Sequence, residues 1–308
     1  MTELKPQTVE KCPLPPITPA MRLKKWLRHE GVSLRRHPLS YLVRTLCRLA
    51  VAVTVFSLLY LIVDILVKGI PNLSPELFSL TYTTDNQSML PSIINTVIIT
   101  VLALVIAIPL GVGGAIYLAE YARRESPLVR LVRLTAETLS GIPSIIYGLF
   151  GMMCFVTAMK LGLSLLSGAL TLSLMVLPLI LRTTEEALLS IPDSYREGSF
   201  GLGAGKLRTV IRIVLPPAMP GILSGVVLAI GRIVGETAAL LFTTGTVAKL
   251  PQSLLSSGRT LSLHMYVLSG EGLHVGEAYA TAVVVLLLVL GMNGLSSLIS
   301  KKIGGASH

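Results

Sequence analysis

The segment from Ala218 to Leu241 reads AMPGILSGVVLAIGRIVGETAALL. Among its 24 residues only Arg232 and Glu236 carry charge. A helix of about 20 predominantly apolar residues is long enough to cross the hydrocarbon core of a bilayer. The segment therefore predicts a membrane-spanning helix with two charges inside it, and both charges require an explanation.

The rest of the chain shares this apolar character. Of its 308 residues 52% are hydrophobic and 14% are charged, whereas a soluble domain carries about 25% charged residues. Five further segments are apolar enough to span: Ala50 to Val67, Ile93 to Leu118, Leu139 to Val156, Leu163 to Leu181 and Ala278 to Ile299. Together the segments predict an all-α polytopic membrane protein with about six transmembrane helices. The short third and fourth segments could instead form a re-entrant pair.

The basic residues are distributed unevenly between alternate loops. Twenty-one of the 26 Lys and Arg residues fall in the N-terminal tail, the second and fourth loops and the C-terminus. Because cytoplasmic loops retain Lys and Arg, both termini are predicted to be cytoplasmic. We expect a basic cytoplasmic tail over residues 1–48, a transmembrane domain over 49–300 and a cytoplasmic tail over 301–308. The net charge of +10 is then a topology signal, so nucleic-acid binding need not be invoked.

The sequence contains no pattern typical of catalysis or cofactor binding. Its three cysteines and five histidines are not at metal-ligand spacing. Gly205 and Lys206 suggest a phosphate-binding P-loop, but Phe200 and Leu207 stand where that motif needs glycine and Ser or Thr. We expect no enzyme activity, metal or bound cofactor in this chain, so the energy for active transport must come from a partner or an ion gradient.

An unusually long loop, residues 182–216, joins the fourth and fifth predicted spans. Its sequence Ser190-Ile191-Pro192-Asp193 favours helix initiation. Glycines at 198, 201, 203 and 205 then allow a sharp turn. A short helix presented in this way by a membrane domain suits the groove of a partner protein.

Within this loop Glu197-Gly198-Ser199 is followed by Gly203 and, ten residues later, by Ile213-Val214-Leu215-Pro216. The spacing resembles the EAA loop of permease subunits of bacterial ABC importers, with Gly198 and Ser199 replacing two alanines. The resemblance implies the type I ABC importer permease fold and a cytoplasmic ATPase partner that uses ATP and Mg²⁺. The residues it implies for ATPase coupling are Glu197, Gly198, Ser199, Gly203, Ile213, Leu215 and Pro216.

Arg232 and Glu236 are four residues apart, so they are predicted to share one helix face. Charges at such depth cost about 2.5–3.5 kcal/mol each on insertion scales, so they should face a partner, a cavity or each other. The planar guanidinium matches the oxygens of phosphate or sulfate. We therefore expect Arg232 to bind an anion in a substrate pathway, with Glu236 competing for the guanidinium; a structural ion pair is the alternative. Two small-xxx-small pairs on the segment should let other helices approach: Gly221 with Gly225, and Gly231 with Gly235.

Residues 231–238 read GRIVGETA, and the loop after the fifth span contains Arg259-Thr260-Leu261-Ser262. With the EAA spacing and six spans, these features resemble the phosphate-importer permeases over about residues 45–300. The resemblance implies inorganic phosphate as substrate and the bacterial inner membrane as location. It also implies three partners: a second permease subunit, an ATPase subunit dimer and a periplasmic phosphate-binding protein. A permease for sulfate, molybdate or phosphonate, an ion-coupled secondary transporter and a membrane sensor stay open as alternatives.

Overall fold

The computed structural model describes residues 38–84, 86–123 and 125–304, and these residues form helices, turns and loops without any strand. The all-α prediction is therefore confirmed. The chain divides into two compact units, residues 1–63 and 64–308. The predicted basic tail lies outside the described residues as far as residue 37, and the predicted C-terminal tail lies outside them from residue 305.

In the first unit, the described residues belong to helix α1 (Pro38–Gly69), which continues beyond residue 63. The helix begins well before the predicted first span, at Pro38 instead of Ala50. Its apolar residues lie on all sides, and Leu46, Phe56 and Leu59 are more than half exposed. An exposed apolar surface around a long helix is what contact with lipid requires.

In the second unit, short helical turns at Ile70–Asn72 and Pro75–Phe78 precede the main helices. Turns of π-helix extend α2 over Tyr117–Tyr121 and α4 over Met152–Ala158, and join α7 to α8 over Val210–Val214. The helices are α2 (Leu90–Ile116), α3 (Pro127–Ser140), α4 (Ser144–Gly151), α5 (Leu165–Leu189), α6 (Asp193–Gly201), α7 (Lys206–Thr209), α8 (Leu215–Val234), α9 (Ala238–Leu241), α10 (Leu261–Glu271) and α11 (Val275–Gly304).

The prediction of about six spans is confirmed by the lengths and composition of the described helices. Five segments are long and apolar enough to cross a membrane: Leu42–Asn72, Leu90–Tyr121, Leu165–Leu189, Lys206–Val234 and Val275–Gly294. The pair Pro127–Ser140 and Ser144–Ala158 is bent by 103°, as in a broken span or a re-entrant loop. The bend lies at Gly141-Ile142-Pro143, since proline disfavours helical geometry in the residue before it. The predicted third span therefore contains the bend, whereas the fourth is one continuous helix.

The core of the second unit is formed where α2, α5 and α8 pack together. Small residues allow this approach: a Cβ atom added to Gly221 would lie 2.6 Å from the Cβ of Ala187, and one added to Gly225 would overlap Thr183. The first predicted small-xxx-small pair therefore faces α5. A Cβ on Gly231 would have no neighbour within 4 Å, so the second pair does not bring another described helix close.

Candidate functional site

The predicted fifth span is broken just beyond Arg232. Helix α8 ends at Val234 with Gly235 as its C-cap, and α9 begins only at Ala238. The last turn closes where the Gly235 N–H donates to the Gly231 carbonyl at 3.2 Å. The prediction of one continuous helix from Ala218 to Leu241 is therefore wrong. Hydropathy alone gives no sign of the break.

Glu236 lies in the break and is buried, with 9% of its surface exposed. Its Oε1 accepts a hydrogen bond from the Ala239 N–H at 3.0 Å, so the carboxylate fixes the turn between α8 and α9. The predicted helix face shared by Arg232 and Glu236 is wrong, because α8 ends between them. In the described part of the chain no ion pair joins the two side chains.

Arg232 occupies the last turn of α8 and is half-buried. It lies just before α9, which packs against α4, the helix that contains Tyr147. The Tyr147 hydroxyl donates to the Leu139 carbonyl of α3 at 2.8 Å, across the α3–α4 bend. Arg232 thus lies near two irregular segments of one membrane unit. Irregular backbone at membrane depth is tolerated only where it is buried in protein or lines a water-filled cavity. The break and Arg232 therefore form the candidate pathway site.

Close packing holds the broken segment in place. A Cβ atom on Gly148 of α4 would lie 2.8 Å from the Cα of Ala239, so α4 and α9 are nearly in backbone contact. On the other side, Gly168 of α5 lies against Leu240 and Thr244. These contacts fix α9 between α4 and α5. Glu236 lies three residues before Ala239, so the packing of α9 also fixes the position of Glu236.

The predicted coupling residues lie on α6 and the turn after it. Glu197 and Gly198 are exposed on α6, whereas Ser199 is buried. The hydroxyls of Ser199 and Thr209 are 2.8 Å apart, and this hydrogen bond fixes α6 against α7. Gly203 has a φ of +81°, a left-handed conformation that glycine adopts without strain. The structure therefore brings the first four predicted coupling residues into one compact hairpin of short helices.

Several large apolar side chains of this hairpin are exposed although they lie beside charged residues. Leu202 is 91% exposed and Leu207 is 65% exposed. Exposed apolar side chains clustered within a polar surface are typical of a protein-binding site. The other exposed apolar side chains of the same segment are Phe200, Ile211 and Ile213. The remaining predicted coupling residues, Leu215 and Pro216, are half-buried at the start of α8.

Arg196 binds the hairpin to the membrane helices, a role that sequence analysis missed. Its Nη2 lies 2.6 Å from Oε1 of Glu120, and the two side chains are 12% and 6% exposed. The guanidinium also donates to the carbonyls of Leu188 at 2.9 Å and Ile191 at 2.8 Å. Glu120 lies in the extension of α2, and Leu188 lies at the end of α5. Arg196 thus connects α6 to two core helices.

A second ion pair joins α3, the helix before the bend, to α5. Arg133 of α3 lies 2.7 Å from Glu185 of α5, whose side chain is 9% exposed. This pair links the amphipathic helix before the bend to the core. No group of three or more His, Cys, Asp or Glu residues that could hold a metal ion occurs within residues 38–84, 86–123 and 125–304.

Comparison with known sequences places the chain among membrane transport components. Residues 107–305 match the family described as "Binding-protein-dependent transport system inner membrane component". The probable ABC transporter permease protein YqgI of Bacillus subtilis is 34% identical over 232 residues, 68% of this chain and 78% of that protein. The phosphate transport system permease protein PstA of Yersinia pestis is 34% identical over 261 residues, covering 80% and 85%. The phosphate transport system permease protein PstC of Mesorhizobium japonicum is 32% identical over 232 residues, covering 67% and 70%.

Solved structures with the same fold come from ABC importers. A bacterial alginate ABC transporter in complex with a periplasmic protein superimposes with a TM-score of 0.64 at 15% identity, covering 88% of this chain and 98% of that chain. The MetNI methionine ABC transporter gives a TM-score of 0.55 at 20% identity, covering 69% and 93%. At these identities the likeness establishes the fold alone. The expected ABC importer permease fold is confirmed.

Proposed function

The chain belongs to the family of binding-protein-dependent transport system inner membrane components, and from that membership we propose that it is the permease subunit of an ATP-driven importer of inorganic phosphate. It is a multi-pass inner-membrane protein and a transport component, not an enzyme. Relatives named as phosphate permeases support the choice of substrate. The observation that carries the proposal is a half-buried arginine in the last turn of an apolar segment long enough to span a membrane, beside the break that ends this segment.

In this proposal Arg232 binds the anion during its passage. Its guanidinium remains charged and offers a fork of donors that matches two oxygens of a tetrahedral oxyanion. Glu236 acts as a positioning residue, because its carboxylate bonds the Ala239 N–H and keeps the break open beside Arg232. A carboxylate near the path also limits how tightly the anion is held, since like charges repel. Release of the anion then becomes easier than from an isolated arginine.

Energy reaches this site from a separate ATPase subunit dimer, which binds ATP and Mg²⁺. The proposed docking surface is the α6–α7 hairpin, with Glu197 and Gly198 exposed and Leu202 available to an apolar groove. The same assignment puts residues 1–48, the coupling loop 182–216 and residues 301–308 in the cytoplasm, and makes residues 49–300 the permease domain. A second, PstC-like permease completes the pathway, and a periplasmic phosphate-binding protein delivers the substrate.

Uptake by the reconstituted complex tests this proposal. Proteoliposomes carrying both permeases and the ATPase, with ATP inside and the binding protein outside, should accumulate radiolabelled phosphate. Arg232→Gln and Arg232→Lys should abolish uptake while the complex assembles normally. Lys160→Gln, which removes an exposed cation from a loop, is the matched control and should leave uptake unchanged.

Three outcomes would contradict parts of the proposal. Unimpaired uptake by both Arg232 variants would remove that residue from the pathway. Accumulation of sulfate, molybdate or phosphonate with no accumulation of phosphate would show that the substrate is a different oxyanion. Uptake driven by an ion gradient without ATP would assign the chain to the secondary transporters.

A further inference from the structure

A cluster of buried polar side chains lies at the opposite end of the core helices from the α6–α7 hairpin. Helix α2 begins beside this cluster, and its other end leads to Glu120, which binds Arg196 of the hairpin. At 1.5 Å per residue the 27 residues of α2 extend about 40 Å. The cluster therefore faces the other side of the membrane, at the mouth through which an imported anion would enter.

Arg259 is the charged member of the cluster and is only 4% exposed. Its guanidinium lies over the ring of Tyr82, with its carbon 4.9 Å from the ring centroid. Nε is buried without a hydrogen-bond partner, and no carboxylate of the described residues pairs with the side chain. A buried charge without a counter-charge is unfavourable, and a cation–π contact offsets only part of that cost. The side chain is therefore arranged to receive an anion.

Three neighbouring side chains also carry unused hydrogen-bonding atoms. Asn95 Nδ2 donates to the carbonyls of Lys249 at 3.3 Å and Arg259 at 3.2 Å, which fixes the orientation of the amide and leaves Oδ1 without a partner. Ser92, one turn earlier on α2, and Thr260, next to Arg259, have buried hydroxyls without partners. The group therefore offers hydroxyl donors and one fixed acceptor where the start of α2 meets the backbone of Arg259.

His264 completes the cluster one helical turn beyond Thr260. Its ring lies edge-on to Tyr82 with centroids 6.2 Å apart, and both ring nitrogens are buried without partners. Burial, and after it the positive charge of Arg259, lower the pKa of His264 to about 3, against a smaller opposing effect of the Gln87 backbone. The imidazole is therefore neutral near pH 7 and offers one donor and one acceptor. Arg259 is left as the cation of the cluster.

We propose that Arg259, Thr260, Ser92, Asn95 and His264 form a second oxyanion site, which takes hydrogen phosphate at the outer mouth before the anion reaches Arg232. The donors match the oxygens of a tetrahedral oxyanion. Asn95 Oδ1 accepts a hydrogen bond from the protonated oxygen, which sulfate lacks at neutral pH. The atoms are closed to bulk solvent here, so filling the site requires residues 242–260, which form no helix, to move. The choice of phosphate rests on the proposed function.

Phosphate binding to the purified complex, without the periplasmic protein and ATP, tests this site. Equilibrium dialysis with radiolabelled phosphate should give a bound equivalent that Arg259→Gln weakens by roughly tenfold or more, as expected for loss of a charge-assisted hydrogen bond. Lys249→Gln removes an exposed cation of the same loop while its backbone carbonyl still accepts from Asn95, so binding should stay at the wild-type level. Arg232→Gln should retain the outer equivalent.

Thr260→Val keeps the experiment decisive if Arg259→Gln fails to fold. Valine has nearly the same shape and removes an unpaired buried hydroxyl, so the empty protein should be at least as stable. If the hydroxyl is a phosphate ligand, Thr260→Val should still weaken binding severalfold. Wild-type affinity in both variants would overturn the outer site and would mean that ordered water satisfies these atoms. Phosphate uptake that depends on Arg232 would stand regardless, so failure of this site and failure of the proposed function are separate results.

Discussion

Removal of the Arg196 side chain should weaken both the fold and the coupling of ATP hydrolysis to transport. The guanidinium contacts Glu120 at 2.6 Å and the carbonyls of Leu188 and Ile191, with 12% and 6% of the paired side chains exposed. Breaking a buried ion pair by removing one partner costs about 3–5 kcal/mol, because the other charge remains buried. We expect Arg196→Gln to lose a stability of that order.

The exposed pair of Arg182 and Glu186 on α5 is the matched control. Its atoms lie 2.9 Å apart, but the side chains are 54% and 63% exposed. Exposed pairs with this spacing contribute about 0.3–0.5 kcal/mol, so Arg182→Gln should change stability little. Denaturant-induced unfolding of the purified complex measures both variants. Arg196→Lys should fall between wild type and Arg196→Gln, since lysine keeps the charge but cannot reproduce the fork of donors.

The coupling effect is measured as phosphate transported per ATP hydrolysed. Because Arg196 connects α6 to α2 and α5, its loss should leave ATP hydrolysis while uptake falls. In a double-mutant cycle, Glu120→Gln combined with Arg196→Gln should cost less than the sum of the single changes. The reasoning is refuted if three results are found together. Arg196→Gln has the same stability as Arg182→Gln, the effects of Glu120→Gln and Arg196→Gln on stability are additive, and the amount of phosphate transported per ATP hydrolysed is unchanged.

Three further predictions concern local geometry, each measured by unfolding of the purified complex. Gly198→Ala should stabilise the protein by about 0.5–1 kcal/mol, because an added Cβ meets no atom within 4 Å, whereas Gly203→Ala should cost about 1–2 kcal/mol at its φ of +81°. Gly221→Ala should cost about 1–3 kcal/mol through overpacking against α5, whereas Gly231→Ala on the same helix meets no atom within 4 Å and should stabilise by about 0.5–1 kcal/mol, as for Gly198→Ala. As pH falls from 6.5 towards 3, the free energy of unfolding of wild type should fall by about 1.4 kcal/mol per pH unit relative to that of His264→Gln. The reason is that His264 binds a proton in the unfolded chain but stays neutral when it is buried in the folded protein. A difference between the two proteins that does not change with pH would contradict this.

Hydropathy and charge predicted the membrane class and the number of spans, and glycine spacing predicted the close approach of another helix at Gly221 and Gly225, since these depend on local sequence. The structure identifies that helix as α5. Hydropathy and charge did not predict the end of α8, because a broken apolar segment has the same hydropathy as a continuous helix. The sequence does contain a signal: Gly235 followed by Glu236 and Thr237 combines a residue suited to a C-cap with residues that favour a new helix start. A search for helix stops inside apolar segments would have found the break.

The long-range contacts had no comparable signal. Arg196 and Glu120 are 76 residues apart in the chain, and Asn95 and Arg259 are 164 apart. A basic residue and a histidine in loops between predicted spans look like ordinary surface residues until the fold buries them. The functional meaning of Arg196, Arg259 and His264 therefore depends on tertiary packing that spacing along the chain does not encode.

The central claim is that phosphate passes the break at the end of α8, and thiol accessibility next to Arg232 tests it most directly. Gly231→Cys, in a protein whose native cysteines are replaced, introduces a side chain with no neighbour within 4 Å. In the assembled complex a small anionic thiol reagent should modify this cysteine from the aqueous phase, and phosphate should slow the reaction. A cysteine that reacts equally fast with and without phosphate, or that never meets the reagent in a complex that still transports, would contradict the claim.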